Sequence, residues 1–517
     1  MQPDRRRWII SALVILVAAA SASADVRLPA VIGGNMVLQQ GKPATIWGWA
    51  DPGEKISVSV SWLNMQWAVA ADDQGHWSFQ MAAPKVGGPY TMTLAGKNVV
   101  ELKNILVGEV WVCSGQSNMQ WSVRASNNAE QEIAAADYPN IRLFSVKRTV
   151  AAEPQKDCEG QWSACTPETI PDFSAVAYFF GRHLHKELNI PIGLIHTSWG
   201  GTPAEAWTSD EYMKSDGDFE PILKRHNDAV AAYPEAMKQY KEKLAQWRQD
   251  TEKAKAEGKN PPNRPGEPYG PGNPHNPSGL YNAMIAPLIP FSIQGAIWYQ
   301  GESNAGRAHQ YRKLFPAMIR SWRDSWNQGE FPFLFVQLAN FMAVKDQPGD
   351  SAWAELREAQ TMTLAMKNTG MAVIIDIGEA NDIHPRNKQD VGVRLALWAL
   401  ANTYGRDVVY SGPLYKSHRV DGNKVILSFD HVGGGLLARD GESLKGFAVA
   451  GVDKRFVWAD AKIEGDTVVV SSDQVDEPVA VRYAWADNPV CNLYNKEMLP
   501  ASPFRIDEWP GVTAGSK

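Results

Sequence analysis

Ser117 stands in the run Gly115-Gln116-Ser117-Asn118-Met119, directly after the apolar segment 109–113. A strand over 110–113 delivers the backbone to a sheet edge, and Ser114-Gly115 lets it bend sharply without a side-chain clash. The Ser117 hydroxyl is then exposed beyond the carboxyl end of a strand, where open α/β sheets bind their ligands, and a serine so placed can be a nucleophile. The plainer alternative is a helix start after a strand, with Ser or Asn as its cap. A serine hydroxyl is a weak nucleophile and needs a base within hydrogen-bond reach, which an imidazole with a pKa near ~6.5 supplies. Of the ten histidines, His384 in Asp382-Ile383-His384-Pro385 is the candidate base. His183 and His185 fall in a helical run, His226 and His309 in polar surroundings, and His196 in an apolar stretch that suits a satisfied buried ring. His431, in Asp430-His431-Val432-Gly433-Gly434, is the competitor by chemistry and ranks below His384 because its segment has strand character.

The string Gly-Glu-Val-Trp-Val-Cys-Ser-Gly-Gln-Ser-Asn-Met, 108–119, resembles the first signature block of the SGNH hydrolases, and their sialate O-acetylesterase branch in particular. Asp382-Ile383-His384-Pro385 resembles the block that carries the base. SGNH enzymes usually place the aspartate that orients the imidazole three residues before it. Here that position is Asn381 and the acid is Asp382. Three arrangements stay open: Asp382 from a changed turn, Asp376 or Glu379 from the end of the preceding strand, or a carbonyl in a Ser–His dyad. Asp382 is favoured.

Acyl transfer also needs donors aimed at the oxygen that becomes negative in the tetrahedral intermediate. The segment 195–207 reads as strand, glycine turn and helix start, so the amide of Gly200 or Gly201 can face the site beside that of Ser117. It resembles the second SGNH block. The run Trp298-Tyr299-Gln300-Gly301-Glu302-Ser303-Asn304 resembles the third block in its sialate and xylan acetylesterase form. Gln300 or Asn304 would supply a side-chain amide, with Gln300 preferred because it sits at the strand tip. Gln116, Arg124, Glu302 and Arg307 are the candidates for contact with substrate. Each block alone could be an ordinary glycine-bearing βα turn; four in the family's order argue against coincidence.

Between these blocks the chain alternates strands, at 110–113, 192–198, 293–300, 332–338 and 371–377, with helical periods at 173–188, 309–326, 353–367 and 387–402. That is the pattern of a parallel sheet covered on both faces. With the resemblance, the fold class expected is α/β: a three-layer αβα SGNH (flavodoxin-like) parallel-sheet catalytic domain over 105–415, flanked by β-rich modules at 25–104 and 416–517. Trp47, Trp49, Trp62, Trp67 and Trp77 offer ring faces to a sugar but are read mainly as filling the first module's own core. Residues 209–277 are an insertion. There Tyr233, Met237, Tyr240, Leu244 and Trp247 form a narrow apolar stripe on a charged helix, and a proline-rich loop follows over 261–277. It is read equally as shaping the cleft or as a peripheral arm.

Residues 1–24 read as a signal peptide of the general secretory kind: Arg5-Arg6-Arg7, an apolar run, then Ala22-Ser23-Ala24. Removing them leaves 48 Lys and Arg against 56 Asp and Glu, a formal charge of −8. Nothing in that balance suggests nucleic acid or an anionic membrane as partner, and no later run of about 20 apolar residues could span a bilayer. The mature chain is thus expected to be soluble and exported, periplasmic or extracellular. Cys158 and Cys165 frame a short loop and are expected to pair, with Cys113 buried in its strand. No Cys/His spacing suits zinc, so no metal or other cofactor is inferred.

The resemblance implies a serine esterase removing O-acetyl groups from carbohydrate, with sialate as the first substrate. The alternatives are an acetylxylan or xyloglucan acetylesterase and, from another class, a non-catalytic carbohydrate-binding protein. A sialate site must offset a carboxylate, so an Arg or Lys facing the cleft would favour that substrate.

Overall fold

The structure is a computed structural model and describes residues 25–82 and 84–517; the signal peptide expected at 1–24 lies outside the described residues. The strands of its first part are β1 (Val37–Gln39), β2 (Pro43–Trp49), β3 (Lys55–Val60), β4 (Leu63–Ala70), β5 (His76–Ala82), β6 (Gly87–Ala95) and β7 (Val99–Gly115). β7 changes character along its length. In its first turns Val99, Glu101 and Lys103 are exposed while Leu102 is buried, the one-sided pattern of an antiparallel partner, and here it pairs with β6. From Ile105 to Gly115 every residue is buried, as a strand covered on both faces requires, and it pairs in parallel with β1 and then with two later strands, Ile192–Ser198 and Gly295–Tyr299. The boundary read at 104/105 therefore falls inside one continuous strand.

β8 (Tyr138–Ser145), β9 (Trp162–Cys165), β10 (Ile192–Ser198), β11 (Gly295–Tyr299), β12 (Phe333–Val336) and β13 (Thr369–Ala372) complete the central sheet in the order β13-β12-β11-β7-β10-β8-β9. All pair in parallel except β9 at the edge. The helices are α1 (Ser117–Gln120), α2 (Ala129–Ala134), α3 (Ala175–Leu188), α4 (Asp210–Met213), α5 (Glu220–Ala256), α6 (Ala308–Trp326), α7 (Ala352–Met362) and α8 (Lys388–Asn402). Trp111 of β7 meets Phe180 of α3 with ring centroids 5.0 Å apart. Trp298 is in register with Ser114, hence on the opposite face, and meets Phe315 and Trp322 of α6. Helices thus cover both faces of a large, mainly parallel α/β sheet.

β10 lies on one side of β7 and β11 on the other, so the strand order reverses at the tip of β7. A crevice opens there outside the carboxyl ends of the strands. Gly115 is level with Ser198 of β10 and with Tyr299 of β11. Further β-sheets follow the helices: strands Leu414–Asp421, Lys424–Asp430, Thr467–Ser471 and Asp460–Glu464 form one antiparallel sheet over a separate apolar core that includes Val425, Leu427, Val468 and Tyr483. In the first part, Trp77 is buried and Trp47, Trp62 and Trp67 are partly buried against the main core, while the Arg27 guanidinium covers Trp49 at 4.5 Å.

α5 is 37 residues long, and its stripe packs on the proline-rich chain that returns beside it. Gly270 lies against the Tyr233 ring, and Trp247 Nε1 donates to the Pro262 carbonyl at 2.8 Å. The disulfide expected between Cys158 and Cys165 is absent; both are free thiols, as are Cys113 and Cys491. β9 is the reason. Extended at about 3.3 Å per residue, it carries Cys165 to the level of Tyr138, while Cys158 stays beyond the other end of the strand, where Glu159 pairs with Lys147.

Candidate active site

Gly115 makes the bend that presents Ser117. Its φ is +139°, and a Cβ there would lie 2.1 Å from the Tyr299 carbonyl oxygen, so only glycine lets β7 end against β11. The Gln116 N–H donates to that carbonyl at 2.9 Å, and the Gly115 carbonyl accepts from the Trp199 N–H at 3.2 Å. Ser117 opens α1 and lines a cleft of about 620 Å³ together with Gln120, Trp121, Arg148, Asp172, His196, Ser198, Gly200 and His384.

The two ends of the chain's candidate machinery, Ser117 and His384, therefore share one cavity. The His384 ring stacks on Trp121, with centroids 5.0 Å apart and planes 13° from parallel. Its Nδ1 lies 3.4 Å from Asp382 Oδ1, and the same oxygen accepts the His384 backbone N–H at 2.8 Å. Burial pulls the His384 pKa below the ordinary histidine value; Asp382 opposes that shift and the cation of Lys388 adds to it. The other two carboxylates weighed for this role are committed elsewhere. Asp376 grips Arg394 with both oxygens, at 2.6 and 2.8 Å, and Glu379 Oε1 accepts the Arg386 N–H at 2.9 Å.

Several expected contacts are not made. Gln300 is fully buried; its amide donates to the Thr202 carbonyl and to Asn304 Oδ1, and its oxygen accepts from Tyr311. Asn304 is equally enclosed, its oxygen accepting the Ala204 N–H and its amide donating to Glu205. Both amides brace the third block from behind and do not line the cleft, because the short helix Glu302–Arg307 turns inward toward Glu205 and α6. Gly200 does border the cleft and sits against Ser117, a Cβ on it being 3.2 Å from that of Ser117; its N–H donates to Gln120 Oε1 at 2.8 Å. Gly201 borders the neighbouring cleft and not that of Ser117, and its carbonyl accepts from Ser303 Oγ.

Of the four residues expected to touch substrate, none stands free in the cleft. Gln116 is buried, its Oε1 accepting the Ser303 N–H, and the Glu302 carboxylate bonds Asn118. Arg124 is tied to Asp172 at the rim at 2.6 Å. Arg307 pairs with Glu205 at 2.5 Å in a second cleft of about 490 Å³, bordered by Gly201, Ser303 and the first turns of α5.

What sequence reasoning missed is on the walls. Arg148 lines the Ser117 cleft, exposed, with its guanidinium 5.8 Å from the Trp199 ring and no ion pair among the described residues. It follows β8 in a run without a motif, so nothing in the sequence marked it. His196, expected to be a satisfied buried ring, is satisfied, with Nε2 at 2.6 Å from Ser198 Oγ, and its partly buried ring also borders the cleft. This second Ser–His pair is poorly suited to base catalysis. Burial and the nearby Arg148 pull the His196 pKa down to about 4, which makes it a weak base. His431 packs between Trp398 and Tyr410, outside the cleft. Among the described residues no group of three or more His, Cys, Asp or Glu side chains could hold a metal ion, and no helix is long and apolar enough to cross a membrane.

The family model described as carbohydrate esterase, sialic acid-specific acetylesterase, matches residues 107–256 and 272–399. The human sialate O-acetylesterase is 31% identical over 551 residues, covering 96% of each chain, and the rat protein is 32% identical over 544 residues, covering 95% of this chain and 96% of its own. A carbohydrate acetylesterase from Xanthomonas citri, known from a crystal structure, is 39% identical and superposes with a TM-score of 0.80 over 94% of this chain and all of its own. The chain belongs to the sialic acid-specific acetylesterase family of carbohydrate esterases and is a carboxylic ester hydrolase that acts on carbohydrate acetyl groups.

Proposed function

We propose that the enzyme is an exported serine esterase of the SGNH type whose substrate is an O-acetylated sialic acid. The observation that carries this reading is the convergence of Ser117, His384 and Arg148, a guanidinium with no ion pair among the described residues, on one cleft at the tip of β7. Ser117 Oγ attacks the acetyl carbonyl carbon while His384 takes its proton, and the imidazolium then protonates the leaving sugar oxygen as the C–O bond breaks. Water, deprotonated by the same imidazole, attacks the acetyl-serine, and acetate leaves as the imidazolium returns the proton to the Ser117 oxygen. Asp382 orients the ring. The amides of Ser117 and Gly200 stabilise the oxyanion, with the Gln120 side chain giving up its bond to Gly200 as the substrate oxygen arrives. The relatives' activity on sialate and the Arg148 guanidinium support sialate over neutral acetylated xylan or xyloglucan, since a sialic acid brings a carboxylate that a guanidinium binds well. Export rests on the basic and apolar character of residues 1–24.

The test is acetate release from O-acetylated N-acetylneuraminic acid, acetylated xylan and acetylated xyloglucan in parallel, by the wild type and Arg148→Ala. The sialate ester should be cleaved fastest. Loss of one charge-assisted bond, about 1.5–3 kcal/mol, should cost Arg148→Ala roughly tenfold to a hundredfold in kcat/KM on sialate beyond any loss on p-nitrophenyl acetate. Faster cleavage of either polysaccharide, or equal losses on the two small esters, would move the substrate away from sialate.

A further inference from the structure

Lys388 is the first residue of α8 and is fully buried. Both facts work against it, because a cation at a helix N-terminus opposes the helix dipole and a buried charge must be paired or solvated. Its Nζ donates to Asn118 Oδ1 at 2.5 Å and lies 5.4 Å from the Tyr299 ring and 5.9 Å from that of Trp121. The carboxylate that offsets it, Glu302, is reached through the same amide: Asn118 Nδ2 donates to Glu302 Oε1 at 2.6 Å, while Glu302 Oε2 is buried with no side-chain partner among the described residues. The second hydrogen of that amide goes to the Ile383 carbonyl at 3.0 Å. One side chain therefore joins the residue after Ser117 to the residue before His384. With a cation on its oxygen and acceptors on both hydrogens, it has only one orientation.

We propose that Lys388 is a positioning residue of the esterase site: through Asn118 it fixes the Ser117 turn against the His384 loop, and its charge biases the imidazole that stacks on Trp121. The inference rests on the reading of Ser117 and His384 as nucleophile and base. The charged and titratable groups that act on His384 are Asp382 on its own loop and Lys388 from α8, and Arg148, Asp172 and His196 line the same cleft. Burial and the Lys388 cation both hold the imidazole neutral, with Asp382 opposing. Burial also pulls Lys388 itself down to about 7, against the attraction of Glu302, Asp382 and Glu379, and pushes the Glu302 carboxyl up. The cation is thus strongest on the acid side of neutrality, where a base is most at risk of protonation.

The experiment compares wild type, Lys388→Met and Asn118→Ala with p-nitrophenyl acetate, recording kcat, KM, the pH profile of kcat/KM and thermal unfolding. The wild-type acid limb should lie below the ordinary histidine value of about 6.5. Lys388→Met should lower kcat about a hundredfold, as a small misplacement of reacting groups does, with KM within about threefold, and should move the acid limb to higher pH. Should Lys388→Met fail to fold, Asn118→Ala carries the test: kcat should fall by a similar factor with the limb in place, since the cation remains. A folded Lys388→Met with an unmoved acid limb, whatever its kcat, would reduce the lysine to a structural role and overturn the inference, as would an undiminished kcat in Asn118→Ala. An inactive wild type would instead overturn the reading of the site on which it rests.

Discussion

Asp382 uses one carboxylate oxygen twice, closing a turn on the His384 N–H and facing the imidazole Nδ1. Asparagine can close the same turn, so Asp382→Asn separates the two roles. If the carboxylate orients the ring, turnover should fall on the order of a thousandfold at unchanged unfolding temperature, as losing a triad acid can. A loss of only a few-fold would leave a Ser117–His384 dyad. Asp376→Asn should behave differently: it leaves Arg394 largely buried without its bidentate partner and should cost roughly 3 kcal/mol of stability, with turnover per folded molecule nearly kept. Glu379→Gln should have little effect. Side-by-side rates and unfolding curves read all three. The sequence offered these carboxylates within seven residues and could not rank them, because the decisive pairing with Arg394 comes from α8, eighteen residues on.

At the scale of elements, the tip of β7 is the feature on which the site turns. Gly115→Ala would place a methyl group against the Tyr299 carbonyl at a φ that alanine rarely adopts, so it should destabilise by on the order of 3 kcal/mol or more and reduce hydrolysis in the folded fraction. Unfolding curves near those of the wild type would mean that the bend relaxes cheaply. The strands and their tips were legible because buried parallel strands are continuous apolar runs that end in glycine and small polar residues. The run 192–198, for example, is β10. The direction of the turns beyond the tips was not legible. Gln300 and Asn304 have the right chemistry for an oxyanion donor, yet Tyr311, Thr202 and Glu205 draw their amides inward, and those partners are set by how α6 packs. Lys388 was hidden for a related reason: a lysine at a helix start reads as solvent-facing until Trp121 and Tyr299 are seen to enclose it.

At the scale of the whole molecule, β7 runs as one strand from the antiparallel pairing with β6 into the centre of the parallel sheet. The first β-rich part and the parallel sheet therefore share a backbone, and the candidate site sits where strand order reverses. Two clefts flank the Gly200-Gly201 turn, one holding Ser117 and the other bordered by the long insertion. The first is lined by Ser117 and His384 and also holds Ser198 bonded to His196, so two serines compete for the role of nucleophile. Fluorophosphonate labelling with peptide mapping makes that choice directly, run on the wild type and on Ser117→Ala with acetate release from O-acetylated N-acetylneuraminic acid measured on the same samples. The adduct is expected on Ser117, with hydrolysis lost as labelling proceeds, and Ser117→Ala should neither label nor hydrolyse while unfolding at the wild-type temperature. An adduct on Ser198, or hydrolysis that survives in Ser117→Ala, would refute Ser117 as the nucleophile.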